Sequence, residues 1–115
     1  MSERDVVNAV LLALSAEPGV RVWRHNVGAM KSDTGRFVRF GLPGQSDISG
    51  ILSPEGWRLE VEAKTQTGRL SESQRRWLDM INNQGGIAFI ARDPHEAVRV
   101  LRAEVMRRRN HGRQA

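Results

Sequence analysis

The sequence predicts an α/β sandwich, a mixed sheet with helices packed against it. Three observations lead there. A helical periodicity opens the chain, two strand-like segments joined by a tight turn follow, and a short all-apolar run stands between two further helical segments. The 115 residues suffice for one domain with its own core, and no internal repeat or low-complexity linker divides them.

Each element has a local reason. From Ser2 to about Glu17 the chain reads as an amphipathic helix: Ser2 can cap it with Asp5 three residues on, and Val6, Val7, Val10, Leu11 and Leu14 recur at helical spacing. Pro18-Gly19 ends it. Val20 to His25 alternates apolar with basic residues, as a strand does. The stretch from Asn26 to Gly44 is rich in glycine and leaves room for one short strand at Phe37 to Phe40. Two strands, Asp47 to Leu52 and Trp57 to Lys64, flank the turn residues Ser53-Pro54-Glu55-Gly56 and predict an antiparallel hairpin. Ser71-Glu72-Ser73-Gln74 is a capping box opening a helix to about Asn83, which Gly85-Gly86 stops. Ile87 to Ala91 is apolar throughout, the pattern of a buried strand. Asp93-Pro94 then starts a last helix through about Arg107.

A formal net charge of +5 suits a protein that meets polyanions. Nearly all of the positive charge is arginine, with Lys31 and Lys64 the only lysines, and arginine favours two-pronged phosphate contacts. The absence of cysteine excludes disulfides and thiolate zinc sites, and His25, His95 and His111 show no ligand spacing. No apolar run approaches the roughly 20 residues that span a bilayer, and Met1 to Asp5 lacks the basic-then-apolar pattern of a signal peptide. The expectation is a cytoplasmic protein without membrane or organic cofactor. Residues 1–108 are read as the domain, and 109–115 as a basic, flexible tail.

The chemistry concentrates in Trp57 to Lys64. Side chains of a strand alternate, so Leu59, Val61 and Ala63 share one face and Glu60, Glu62 and Lys64 the other. Counted outward from the turn, Asp47 and Glu62 fall at similar distances, which brings their carboxylates together. Two carboxylates and a backbone carbonyl form an all-oxygen site for Mg²⁺ or Mn²⁺ rather than zinc. An ammonium beside such an ion can position a water and offset charge building on a phosphate. Taken alone, E-x-K also fits a solvated strand face, and a lone Asp47 also fits a turn residue. The full spacing across a hairpin puts catalysis level with those readings. Glu60 suits a pairing with Arg58 or Arg39 as well as it suits chemistry, and Trp23, Trp57 and Trp77 are expected in the core or at an interface.

Gly44-Gln45-Ser46-Asp47-Ile48, Glu62-Ala63-Lys64 and Gly68-Arg69-Leu70-Ser71-Glu72-Ser73-Gln74 resemble the successive motifs of the VRR-NUC family, a branch of the PD-(D/E)xK nuclease superfamily. Trp23 to Ala29 resembles that family's second strand and following loop, and the resemblance runs from Glu3 to about Asp93. It implies a restriction-endonuclease-like core, a central mixed sheet flanked by helices. It also implies that Asp47, Glu62 and the Ala63 carbonyl bind Mg²⁺ or Mn²⁺, with Glu3 approaching the ion from the first helix. Lys64 would orient the attacking water, and Gln74 would face the same cleft. Arg69, Lys31 and Arg24 are candidate contacts to DNA phosphates. Ser46 stands where proline is common in the superfamily; that proline shapes backbone and binds no ion. The implied function is a metal-dependent DNA endonuclease, a homodimer acting on branched DNA as Holliday-junction resolvases do. Its rivals are a nicking or restriction-type nuclease on linear DNA and a catalytically silent DNA-binding module.

Overall fold

The structure, a computed structural model, describes residues 1–25, 28–31, 37–40, 42 and 44–114. Helix α1 (Glu3–Ser15) begins where expected. Ser2 Oγ accepts from the Asp5 N–H at 3.2 Å, and the Asp5 carboxylate accepts from the Ser2 N–H at 2.9 Å. The reciprocal bonds satisfy two of the donors that a helix start leaves open. Strands β1 (Val20–Arg24), β2 (Gly28–Lys31), β3 (Phe37–Phe40), β4 (Ile48–Leu52) and β5 (Trp57–Ala63) follow, then α2 (Glu72–Asn83), β6 (Ile87–Ala91) and α3 (Pro94–Gln114).

Four strands form the central sheet in the order β1-β4-β5-β6. The β1–β4 and β4–β5 pairs are antiparallel, whereas β5 and β6 run parallel because α2 carries the chain back over the sheet between them. The sheet is therefore mixed, as expected. On one face α1 and α3 bury Val6, Val10, Leu14, Ala97 and Leu101 against Ile48, Leu59, Val61 and Ala91. On the other, α2 packs Leu78 and Ile81 against Ala88, with Leu70 and Trp77 at the rim. Gly50 lets β1 and β4 lie close; a methyl group there would stand 2.5 Å from the Arg21 carbonyl.

The structure adds to the sequence reading at three places. The hairpin strand β3 occupies the anticipated Phe37–Phe40, but its partner β2 was not expected. Gly28, Ala29 and Lys31 have little intrinsic preference for strands, so β2 carries no signal of its own. Strand β5 was expected to be half-buried, yet Glu60 and Glu62 are as inaccessible as Leu59 and Val61. Helix α3 runs on past Arg107 to Gln114. Arg108 there donates to the Gly85 and Gly86 carbonyls at 2.8 and 2.6 Å, and Arg109 grips both oxygens of Glu55 at 2.8 and 2.9 Å. Both guanidinium groups lie over the Trp57 ring, 5.1 and 5.8 Å from its centre. Among the described residues no helix is long and apolar enough to cross a membrane.

Candidate active site

The end of the β4–β5 hairpin departs from regular pairing in a way that builds a site. Ile48 stands opposite Val61, so the same register sets Asp47 opposite Glu62. The Asp47 carbonyl accepts from the His25 N–H at 2.7 Å, which ties it to the end of β1. Its side chain then takes the place of a ladder partner on the other side: Asp47 Oδ2 accepts from the Ala63 N–H at 3.2 Å. Asp47 is thereby held to β1 through its main-chain carbonyl and to β5 through its carboxylate.

Helix α1 brings a third acid. One carboxylate oxygen each from Glu3, Asp47 and Glu62 lie within 4.8 Å of one another. Glu3 is exposed, Asp47 partly buried and Glu62 only 1% exposed. Lys64 is also buried, and its ammonium lies 3.6 Å from Glu3 Oε1 and 4.0 Å from Glu62 Oε1. One ammonium cannot neutralise three carboxylates. The effect is visible at Glu62, where burial first and the Asp47 carboxylate second push the carboxyl up to about 9 against the pull of Lys64. Without a cation, Glu62 therefore holds its proton at neutral pH.

Glu62 is gripped from the α2 side. Gln74 at the start of α2 donates from Nε2 to Glu62 Oε1 at 3.2 Å, while its own Oε1 accepts from the Ser71 N–H at 2.9 Å. The same amide caps the helix and bonds to the acid. The other oxygen, Glu62 Oε2, is buried without a hydrogen-bond partner among the described residues. A buried carboxyl oxygen left unpaired beside two further carboxylates is a ready place for a cation that displaces the proton. The donor set is all oxygen, which suits a hard divalent ion.

Three supporting residues were not found by sequence reasoning. Trp77, assigned only to the core or an interface, donates from its indole to Glu60 Oε1 at 3.0 Å, and Arg58 takes the other oxygen at 3.1 Å. Of the two arginines weighed for Glu60, Arg58 is the partner; the Arg39 side chain lies outside the described residues. Arg92, just after β6, donates to the Thr65 and Gly68 carbonyls at 2.6 Å each and to Gln66 at 3.3 Å. It thereby holds the loop that leaves Lys64. Gly44, with φ of +80°, lies against the Ser73 and Gln74 backbone at the start of α2. Only Gly44 had a sequence signal, a glycine three residues before Asp47.

Of the candidate phosphate contacts, Arg69 and Arg24 are exposed, Arg69 on the loop leading to α2 and Arg24 at the end of β1 next to the Asp47 strand. Lys31 lies on β2 with its side chain outside the described residues, as do Asn26 and Val27 of the motif around β1. His25 makes no bond through its buried Nε2 among the described residues, and no histidine joins the carboxylate cluster.

A match to the VRR-NUC domain extends over residues 25–93, more than half of the chain. The chain belongs to the VRR-NUC family. It is therefore a nuclease domain of the PD-(D/E)xK type, and its mixed sheet flanked by helices agrees with that fold. Nucleases of this type generally use divalent metals, and the VRR-NUC match contains Asp47, Glu62, Lys64 and Gln74. Glu3 lies outside it, and enters the site through the packing of α1. No protein of curated function matches the chain.

Proposed function

We propose that this protein is a cytoplasmic, Mg²⁺- or Mn²⁺-dependent DNA endonuclease whose centre is Asp47, Glu62 and Lys64. The observation that carries the reading is the convergence of three carboxylates and one buried lysine at the end of a hairpin, with one oxygen of Glu62 unpaired among the described residues. Asp47, Glu62, Glu3 and the Ala63 carbonyl would hold the ion. Such an ion acidifies a water and draws charge from a phosphate oxygen.

The remaining work falls to the chain. Lys64, held between Glu3 and Glu62, can donate to the attacking water and to the phosphate on which charge builds. Its burial keeps that charge poorly screened, which strengthens it. Gln74 fixes the Glu62 carboxyl group, and Asp47 is fixed by the Ala63 N–H. Arg69, exposed on the loop that leads to α2, and Arg24, exposed at the end of β1, are the phosphate contacts of this reading, with Lys31 a further candidate. A silent binding module has no use for an acid cluster that repels phosphate, which favours the enzyme over it.

The preferred substrate is branched DNA. Among the described residues there is one such cluster, and resolving a four-way junction takes two symmetric cuts, so the reading includes a homodimer. Exposed Leu12 on α1 and Met106 on α3 are apolar surface that the domain's own core does not use. The test is purified protein with Mg²⁺ or Mn²⁺ on matched linear, flap and four-way-junction DNA, with light scattering in parallel. Paired incisions on the junction by a particle of twice the chain mass are expected. A monomer, both free and on junction DNA, would overturn the resolvase reading and favour a nicking nuclease on linear DNA.

A further inference from the structure

The acid face of the sheet continues beyond the carboxylate cluster toward the β1 edge, and among the described residues what it presents there is neither acidic nor covered. Ser49 is two residues after Asp47 on β4 and Glu60 two before Glu62 on β5, so all four share one face. Trp23 on β1 pairs with Ser49, which places it on that face too, with Arg21, Ile51 and Arg58 forming the next row. Helix α2 covers β5 and β6 on this side. Over β1 and β4, Trp23 remains 49% exposed and Ile51 45%, and the Arg58 side chain is 53% exposed. Arg21 is exposed and meets no carboxylate within ion-pair distance among the described residues. A recess of about 540 Å³ opens beside Arg21 and Ile51 toward Ser53 and Pro54.

A half-exposed tryptophan beside a row that carries two arginines, on the face that carries the cluster, combines a stacking surface with positive charge. We propose that this face is a second nucleic-acid contact, in which an unpaired base stacks on the Trp23 indole while Arg21 and Arg58 hold the neighbouring phosphates. Strand geometry puts Trp23 about 8 Å from Asp47, one strand across and two residues along. That is roughly two stacked nucleotides at 3.4 Å each. The substrate is then DNA whose bases are unstacked within a step or two of the cut, as at a branch point or a gap. The charge favours nucleic acid over a second copy of the chain: a two-fold contact here would set Arg21 and Arg58 against arginines of the other copy. Arginines on an edge strand also resist strand-to-strand pairing.

The inference rests on the nuclease reading for its biological sense, but its test does not need cleavage. Binding of fluorescein-labelled oligo(dT) and of a matched blunt duplex is measured by anisotropy without divalent metal, for wild type, Trp23→Ala, Trp23→Phe and Arg21→Ala. Trp23→Ala should weaken oligo(dT) binding about ten-fold and duplex binding far less. Trp23→Phe should retain most of the affinity, and Arg21→Ala should weaken both probes. Wild-type affinity of Trp23→Ala for oligo(dT), or equal losses on the two probes, would overturn the proposal. So would conversion of a wild-type dimer to a monomer by Trp23→Ala, which would make this face a protein interface. If wild type cuts no DNA while the oligo(dT) result holds, the nuclease reading fails and the stacking face stands.

Discussion

Lys64→Ala should slow phosphodiester cleavage on the order of 10³-fold, the size of effect seen when one preorganised charge-stabilising donor is removed. Lys64 is buried, and among the described residues its ammonium pairs with Glu3 and Glu62 of the cluster. The fold should survive, because Glu62 already prefers its neutral form at neutral pH and the loss of the ammonium strengthens that preference. Single-turnover cleavage and circular dichroism on the same preparation separate the two effects. Cleavage at the wild-type rate would remove Lys64 from the chemistry. Asp47→Ala should be as damaging to cleavage, yet bind DNA more tightly without metal, since a negative charge facing the phosphates is gone.

Gly44→Ala should damage both stability and turnover from a position that touches no reacting group. The residue has φ of +80°, which alanine adopts only with strain, and the added methyl would collide with the Ser73 carbonyl and stand 2.9 Å from the Gln74 nitrogen. Relief requires the first turn of α2 to move, and that turn carries the amide that orients Glu62. A loss of about 1–3 kcal/mol is expected from the backbone alone. Turnover should fall further than KM rises, because Gln74 is displaced from the acid and not from the DNA surface. Denaturant melts together with kcat and KM decide it. A stable variant with normal kcat would mean that the start of α2 does not set the geometry of Glu62.

Much of this site was legible because its parts are local. Ser2 with Asp5 and Ser71 with Gln74 declare their helix starts within four residues, and the structure places both caps as written. The pairing of Asp47 with Glu62 follows from counting along a hairpin whose turn is short. Glu3 is different in kind. Its motif lies outside the VRR-NUC match, and it reaches the cluster only because the apolar stripe Val6, Val10, Leu14 seats α1 across the sheet.

What stayed hidden depends on long-range adjacency. The burial of Glu60 and Glu62 was invisible, since alternation names the face they share but not that α2 lies on it. Trp77 bonds to Glu60 across 17 residues, and Arg92 reaches the loop after Lys64 across 24 to 27, through the parallel pairing of β5 with β6. Strand β2 gave no signal because its residues favour strands only weakly. The extension of α3 past Arg107 depends on partners for Arg108 and Arg109 at Gly85, Gly86 and Glu55, none of them near in sequence.

Glu3, Asp47 and Glu62 together should hold a divalent cation, which a calorimetric titration of Mn²⁺ into the protein reads out. Glu62 must give up its proton to bind, so affinity should rise with pH up to about 9, by close to ten-fold per unit. Wild type titrated at pH 6 and pH 8 should therefore bind far more tightly at the higher value. Glu62→Gln should abolish the saturable site and Glu3→Gln should weaken it. Absence of saturable binding by wild type at pH 8, or an affinity that Glu62→Gln leaves unchanged, would mean that these carboxylates are not a metal site.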